Sequence, residues 1–191
     1  AETDLNEHYL SYFDQQGMRI WLQVEPGNVD VDQLIDLVLE RYGHHRCVVG
    51  FGVDGEWLDT KTHPEGRAIT DREVRRWLKR VRRHNPDYGL FVKHFRLDRF
   101  PPTARDEGIL FVNDGQNVKS LKQLVHYFGL WAKHFKEADV AFQVGYPNDA
   151  HWWRKLSNPQ QEIGRALRRR IGHTVGVFWV DFSLYEAFGR E

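Results

Sequence analysis

The sequence predicts an α/β fold of parallel strands, of the (β/α) barrel type. Six short apolar segments alternate with helical patterns along the 191 residues, as in strands joined by helical crossovers. Polar side chains close almost every one of these segments, as they do at the carboxyl ends of barrel strands. Because the pattern opens on a helix, we expect a partial barrel that lacks two N-terminal strands. An open, doubly wound sheet of six strands is the alternative.

The first half of the chain alternates helices and strands. Asp4 and Glu7 fit a capping box for the first helix, which Gly17 ends. Residues 18–25 form an apolar segment closed by Pro26-Gly27, which predicts the first strand. The later elements of this half are a helix capped by Asp30 that runs to Tyr42, a strand over residues 48–53, a helix capped by Thr70 and Glu73 with Val74, Trp77, Leu78 and Val81 on one stripe, and a strand over residues 89–95.

The second half continues in the same way, except that no clear helix separates the third strand from the fourth. The predicted elements are a strand over residues 109–114, a helix opened by Ser120, a strand over residues 140–146, a basic helix over residues 159–171 and a strand over residues 175–181. We expect residues 1–191 to form a single domain, since this length provides one good core.

Composition and charge limit the classes of partner. Hydrophobic residues make up 41% and charged residues 28%, as in a globular chain. Lys plus Arg equals Asp plus Glu at 27 each, so there is no basic excess to attract nucleic acid. The single cysteine excludes an internal disulfide, and no apolar run is long enough for a membrane span. We expect a secreted or cell-surface protein whose signal peptide has been removed.

The most informative stretch, residues 47–57, begins as a buried strand and ends in two acids. Side chains alternate along a strand, which predicts that Asp54 and Glu56 face the same way. Gly50 and Gly52 would leave room beneath Asp54. Two acids in one pocket suit cleavage of a glycosidic bond, in which a protonated carboxyl donates to the leaving oxygen. We predict Glu56 as this acid, with Asp54 orienting a substrate amide or holding charge.

Polar and aromatic side chains near the other strand ends complete the predicted substrate site. An oligosaccharide or polysaccharide is the expected partner, because aromatic rings there can stack on sugars. The predicted binding residues are Gln23 and Glu25 on the first strand, Trp57 beside the acids, Asn113 and Asp114 on the fourth strand, Gln143 and Tyr146 on the fifth, and Trp179 and Asp181 on the last.

Residues 52–57, GVDGEW, resemble the D-x-E strand end of family 18 chitinase-type barrels and, as a second choice, the strand of family 25 lysozymes. Gly176-Val-Phe-Trp179 resembles the chitinase type's final strand. The resemblance implies a substrate-assisted mechanism in which the N-acetyl oxygen of the sugar attacks. Asp54 would position that group, Glu56 would donate the proton and Trp179 would form the pocket floor.

The chain departs from the chitinase pattern at several positions. The signature's further acids are replaced here by Val49 and Gly52, and the Tyr-Asp pair of the sixth strand is only partly matched by Asn113-Asp114. A noncatalytic carbohydrate-binding barrel, with Trp57, Trp152, Trp153 and Trp179 as stacking surfaces, is therefore an alternative function.

A metal-dependent hydrolase is the other alternative, with a mixed nitrogen and oxygen site made of His94, Asp54, Glu56 and Asp114. His44 and His45 are adjacent, and we expect neighbours in sequence not to converge on one ion as spaced ligands do. The sequence contains no HExxH motif or Cys/His cluster. The leading interpretation therefore includes no cofactor and no metal.

Overall fold

The computed structural model describes residues 4–135 and 137–189. The chain divides into two compact units, which are described separately. The first comprises the residues up to Lys93 together with Asp98–Ile109, and the second comprises His94–Leu97 together with the residues from Leu110 onward. That residues 1–191 form a single domain stays a prediction.

The first unit contains three helices and three strands that alternate along the chain. They are α1 (Leu5–Gln15), β1 (Ile20–Val24), α2 (Val31–Tyr42), β2 (Val48–Asp54), α3 (Asp71–His84) and β3 (Gly89–Lys93). β2 lies between β1 and β3 and pairs with both in parallel. The helices α2 and α3 pack against each other, which places both on one side of these strands.

The second unit repeats this arrangement with more short helices. It contains β4 (Ile109–Asn113) from Leu110 onward, α4 (Leu121–Ala132), β5 (Asp139–Val144), α5 (Ala150–Trp153), α6 (Pro159–Ile171), β6 (Val175–Trp179) and α7 (Leu184–Phe188). β5 pairs in parallel with β4 on one side and with β6 on the other. The short α5 and α7 were not predicted from the sequence.

The strand order confirms the predicted fold class. The sheet order follows the chain order, β1-β2-β3-β4-β5-β6. A doubly wound sheet depends on a reversal of strand order, and the described strands contain none. The doubly wound alternative is therefore wrong, and the chain has an α/β fold of the (β/α) barrel type.

Local side-chain chemistry explains where the helices begin. At α3, Thr70 and Glu73 form the predicted capping box, in which each side chain bonds the backbone N–H of the other residue. Asp4, Asp30 and Ser120 also cap their helices as predicted. The basic helix α6 ends at Gly172, whose φ of 78° is the left-handed conformation that glycine adopts most easily.

Five of the six strands end one or two residues earlier than predicted, whereas β2 ends one residue later, at Asp54. β1 ends at Val24, so Glu25 lies beyond the strand and is exposed. β3 ends at Lys93 rather than at residue 95, and β6 ends at Trp179. Asp181 belongs to a 3₁₀ turn, Asp181–Ser183, and not to the last strand. The strand alternation used to orient Glu25 and Asp181 therefore does not apply to them.

Among the described residues, no helix combines the length and the apolar character that crossing a membrane requires.

Candidate functional site

The buried strand β2 ends in an ion pair. Asp54 is 2% exposed, and one of its carboxylate oxygens, Oδ2, lies 2.7 Å from Nζ of Lys93, which is 8% exposed. The two residues are direct neighbours in the register of β2 and β3. The Nε2 group of Gln23 on β1 donates to the same oxygen at 3.4 Å. The pairing of Lys93 with Asp54 was not predicted from the sequence.

Glu56 does not lie on β2, so strand alternation does not apply to it, and its orientation to the same side as Asp54 stays a prediction. The strand ends at Asp54, and Gly55–Trp57 form a 3₁₀ turn. The turn forms because the Oδ1 atom of Asp54 accepts the backbone N–H of Glu56 at 3.2 Å and thereby caps it. Glu56 is partly exposed and Trp57 is 49% exposed. Asp54 thus contacts the backbone that carries Glu56.

Two loops of the first unit hold this turn in place. The backbone N–H of Asp59 donates to the carbonyl of Gly27 at 2.7 Å, in the loop that follows β1. On the other side Gly66, with a φ of 74°, lies so close to Gly55 that a Cβ atom would collide with the Gly55 carbonyl oxygen. Position 66 therefore requires glycine, both for its left-handed backbone conformation and because a side chain would collide with Gly55. The turn that carries Glu56 is therefore followed by a backbone hydrogen bond to one loop and is closely approached by a second loop.

Glycines on β2 make room beneath Asp54, as predicted. A Cβ atom on Gly50 would meet the Trp21 ring at 2.5 Å, and one on Gly52 would collide with the ring of Phe91. The two rings belong to β1 and β3 and lie 5.7 Å apart. Since residues at i, i+2 and i+4 share a face, Asp54 lies on the face of both glycines. An aromatic layer therefore supports the Asp54–Lys93 pair from below.

In the second unit, Gln143 and Tyr146 contact each other near the end of β5. The Nε2 group of Gln143 donates to the Tyr146 hydroxyl at 2.6 Å, and both side chains are partly exposed. The Tyr146 ring lies 6.2 Å from the ring of Phe182. These two predicted binding residues are therefore brought together.

Trp179 lies on the opposite face of the second unit's strands from Gln143. In the register of β5 and β6, Gln143 pairs with Phe178 and Trp179 pairs with Val144. Paired residues of parallel strands point to the same side. The indole N–H of Trp179 donates to Ser183 at 2.9 Å, and its ring packs edge-on against Trp153 at 5.4 Å. The pocket-floor role of Trp179 stays a prediction.

The other predicted residues differ widely in exposure. Asn113 is fully buried on the face of β4 that also carries Phe111, and its Oδ1 accepts the backbone N–H of Gly115 at 2.7 Å. Asp114 is buried, whereas Asp181 is exposed. Trp152 and Trp153 are both buried, so they do not offer exposed stacking surfaces.

His44 and His45 both approach the Glu7 carboxylate, so the reason given against a shared ion, that neighbours in sequence do not converge, does not apply to them. They lie in the turn between α2 and β2, where neighbouring side chains do not alternate as they do along a strand. Their ring centroids are 4.2 Å apart. Nδ1 of His45 lies 2.8 Å from Oδ2 of Asp14, and this hydrogen bond lowers the pKa of Asp14 to about 2. The predicted metal set of His94, Asp54, Glu56 and Asp114 draws on both units and stays a prediction.

Comparison with known proteins gives a distant likeness to two glycosidase structures. No family model and no curated protein matches the chain. One similar structure is described as a psychrophilic glycoside hydrolase family 10 endo-beta-1,4-xylanase, at 12% identity and a TM-score of 0.48. The other is a Bacteroides thetaiotaomicron protein with a provisional assignment as an alpha-L-fucosidase, at 13% identity and a TM-score of 0.43.

The alignments cover 92% and 94% of this chain but 71% of the xylanase and 65% of the fucosidase. The chain thus spans about two thirds of the length of each. At this level of identity and of structural overlap, the two likenesses do not indicate a substrate or a reaction for the chain.

Proposed function

We propose that the chain hydrolyses glycosidic bonds, with Glu56 as the general acid. The observation that carries the proposal is the position of Glu56, on an anchored turn after the buried Asp54–Lys93 pair and partly open to solvent. A partly exposed carboxyl group can reach a substrate, and a fixed backbone sets where it does so. When protonated, Glu56 would give its proton to the leaving oxygen as the bond from that oxygen to the anomeric carbon breaks.

The contacts of Asp54 favour a mechanism that uses one protein acid. Oδ2 of Asp54 faces Lys93 and Gln23, and Oδ1 accepts the N–H of Glu56. An ion-paired carboxylate is a poor nucleophile and a poor general base, whereas ordinary glycosidases use two working carboxylates. In a substrate-assisted reaction, the acetamido oxygen of the sugar would bond to the anomeric carbon instead. Glu56 as carboxylate would then take a proton from the water that opens this intermediate.

The proposed partner is an oligosaccharide or polysaccharide. Trp57 is the aromatic side chain beside Glu56, and its exposure suits stacking on a sugar ring. The remaining proposed contacts are those predicted from the sequence: Gln23, Glu25, Asn113, Asp114, Gln143, Tyr146, Trp179 and Asp181. No cofactor enters the proposed reaction.

Hydrolysis of acetylated and plain glycan oligomers by the wild-type chain tests the proposal. Cleavage of the acetylated oligomers alone is the expected result. Glu56→Gln should lose about 100-fold or more of this activity, the usual contribution of a general acid, while its unfolding curve stays that of the wild type. Glu40→Gln, which changes an exposed acid on α2, is the matched control and should keep full activity. Wild-type rates in the Glu56→Gln variant would refute the assignment.

A noncatalytic carbohydrate-binding protein is the second candidate. The Asp54–Lys93 ion pair favours it, because Asp54, one of the two predicted catalytic acids, is occupied by Lys93. Binding of the same oligomers by calorimetry separates the candidates. Tight binding without cleavage by the wild type would support the binding protein.

A further inference from the structure

Three potential metal ligands converge in the first unit, on residues that the proposed hydrolysis does not use. Glu7 lies on α1, and His44 and His45 lie in the turn after α2. The Oε1 atom of Glu7 is 3.1 Å from Nε2 of His45 and 3.5 Å from Nε2 of His44. The ligand atoms of all three residues lie within 4.8 Å of one another. No other such group of three occurs among residues 4–135 and 137–189.

These separations suit a tetrahedral ion. Zinc binds histidine nitrogen and carboxylate oxygen at about 2.0–2.1 Å, so two ligand atoms of a tetrahedral site lie roughly 3.3 Å apart. The two measured distances from the Glu7 oxygen, 3.1 and 3.5 Å, bracket this value. The Glu7 oxygen therefore lies at suitable distances from both nitrogens, and the ligand atoms of the two histidines lie within 4.8 Å of each other.

Both imidazole rings are oriented from behind by an acceptor. Nδ1 of His45 lies 2.8 Å from the Asp14 carboxylate, and Nδ1 of His44 lies 3.1 Å from the carbonyl oxygen of Arg41. These acceptors require a proton on each Nδ1, so in the neutral rings the lone pairs are on Nε2, the atoms that face Glu7. Asp14 is itself held by the backbone N–H of Cys47 at 2.7 Å. Metal-binding histidines are supported in this way in proteins.

The Nε2 atom of His45 is buried and faces the Glu7 carboxylate. The side chain is 4% exposed, and Nε2 lies 3.1 Å from Oε1 of Glu7 without the geometry of a regular hydrogen bond. A buried nitrogen gains free energy when a partner binds it in good geometry. By contrast, the side chains of His44 and Glu7 are 60% and 45% exposed, so the cluster is open to solvent on one side.

We propose that Glu7, His44 and His45 bind a divalent transition-metal ion of the zinc type. Water would occupy the fourth position, on the open side of the cluster. The donor set of two imidazole nitrogens and one carboxylate oxygen is one that zinc accepts and that calcium, which prefers six to eight oxygen ligands, does not. Because Glu7 comes from α1 and the histidines precede β2, the ion joins the first helix to the body of the first unit.

Titration of the EDTA-treated chain with Zn²⁺ in a calorimeter tests this site, and Co²⁺ provides a spectroscopic probe. We expect one saturable Zn²⁺ site, intense visible bands for tetrahedral Co²⁺, and no binding of Ca²⁺. Zn²⁺ should also raise the unfolding midpoint, since an ion that binds only the folded chain stabilises it.

Substitutions at the solvent-accessible residues of the cluster identify the metal ligands without disturbing the core. Glu7→Gln and His44→Ala should each remove the Co²⁺ bands and the Zn²⁺ stabilisation. His8→Ala, which changes an exposed histidine next to Glu7, is the matched control and should leave both unchanged. Asp14→Asn should weaken Zn²⁺ binding by about 10- to 100-fold, as loss of an outer carboxylate does.

Two results would overturn the proposal. One is the absence of a saturable Zn²⁺ site in the wild type. The other is Zn²⁺ binding of equal affinity in His44→Ala and in the wild type, which would place the ion on other histidines. Both results are independent of glycosidase activity.

Discussion

The strand ends of the two units differ in what their polar side chains contact. In the first unit, the side chains of Gln23 and Lys93, on the strands that flank β2, both contact Asp54. In the second, Gln143 contacts Tyr146 nearby in sequence, whereas Trp179 packs against Trp153. One unit thus carries a polar network that spans strands, and the other a local pair beside packed aromatic rings.

The residues that precede each strand end explain this difference. Asp54 shares its face of β2 with Gly50 and Gly52, where only the rings of neighbouring strands fill the space. Trp179 shares its face of β6 with Val177, which α6 covers near Gly164.

Removing Lys93 should have the largest effect on stability. Lys93→Met takes away the ammonium group from a buried carboxylate, which should cost about 3–5 kcal/mol of the free energy of unfolding. Urea denaturation measures the loss, and Asp54→Asn in the same chain should recover part of it. The control in the second unit is Arg154→Met, which breaks the exposed pair with Glu186 and should cost less than about 1 kcal/mol. Equal losses for the two variants would contradict the account.

Adding a methyl group to a glycine in each unit should have a smaller but clearly different effect. Gly52→Ala forces a Cβ atom against the buried Phe91 ring and should cost about 1–3 kcal/mol. Gly176→Ala on β6 brings its Cβ to 3.1 Å from Ala141 Cβ, which slight shifts relieve, so its cost should be below about 1 kcal/mol. Thermal unfolding of both variants measures the two stability losses. A larger loss for Gly176→Ala than for Gly52→Ala would contradict this prediction.

The two units should also respond differently to acid. The pKa of Asp36 is lowered to about 2, chiefly by its hydrogen bond with Arg80, so its ionised form stabilises the fold above its ordinary pKa of about 4. This contribution is lost as the pH falls from about 4 to about 2. The destabilisation caused by Asp36→Asn should therefore be full at pH 7 and shrink over that range.

Asp149 of the second unit should show the opposite sign. Burial raises its pKa, so its ionisation costs more in the folded chain and lowers stability as the pH rises past its ordinary value. Asp149→Asn should therefore gain stability relative to the wild type at pH 7 and lose this gain below about pH 4. The free energies of unfolding of wild type, Asp36→Asn and Asp149→Asn are measured between about pH 2 and 7. If the stability changes of the two variants depended on pH in the same way, the opposite pKa shifts of Asp36 and Asp149 would be contradicted.

Truncation of Trp57 should act on binding as well as on stability. Because this side chain is 49% exposed and half buried, Trp57→Ala should cost about 1–2 kcal/mol of the free energy of unfolding. If the ring stacks on a sugar, the same variant should weaken oligosaccharide binding by about three- to tenfold. Calorimetry on wild type and variant gives this ratio, and unchanged affinity would remove Trp57 from the proposed site.

Much of the fold could be predicted from the sequence because it depends on local signals. The caps at Asp4, Asp30 and Thr70, and the apolar segments between them, determine element types and order. The strand ends were harder, because a capping side chain can end a strand early. Asp54 does this by accepting the N–H of Glu56, which removes Glu56 from the strand.

Contacts between distant residues could not be predicted in the same way. The Asp54–Lys93 pair depends on the register of β2 and β3, which no local pattern specifies. The approach of Glu7 to His44 and His45 depends on how α1 packs near the turn after α2, some 37 residues away in sequence. A capping role for Glu7 was the local expectation, and tertiary packing placed its carboxylate beside the histidines instead.

The most direct test of the central claim compares two leaving groups in the Glu56→Gln variant. A general acid matters for a sugar leaving group, which needs a proton, and matters little for dinitrophenolate, which leaves without one. We predict that kcat/KM falls about 100-fold or more on an N-acetylated oligosaccharide and far less on the dinitrophenyl glycoside of the same sugar. Equal losses on both substrates would mean that Glu56 does not donate the proton.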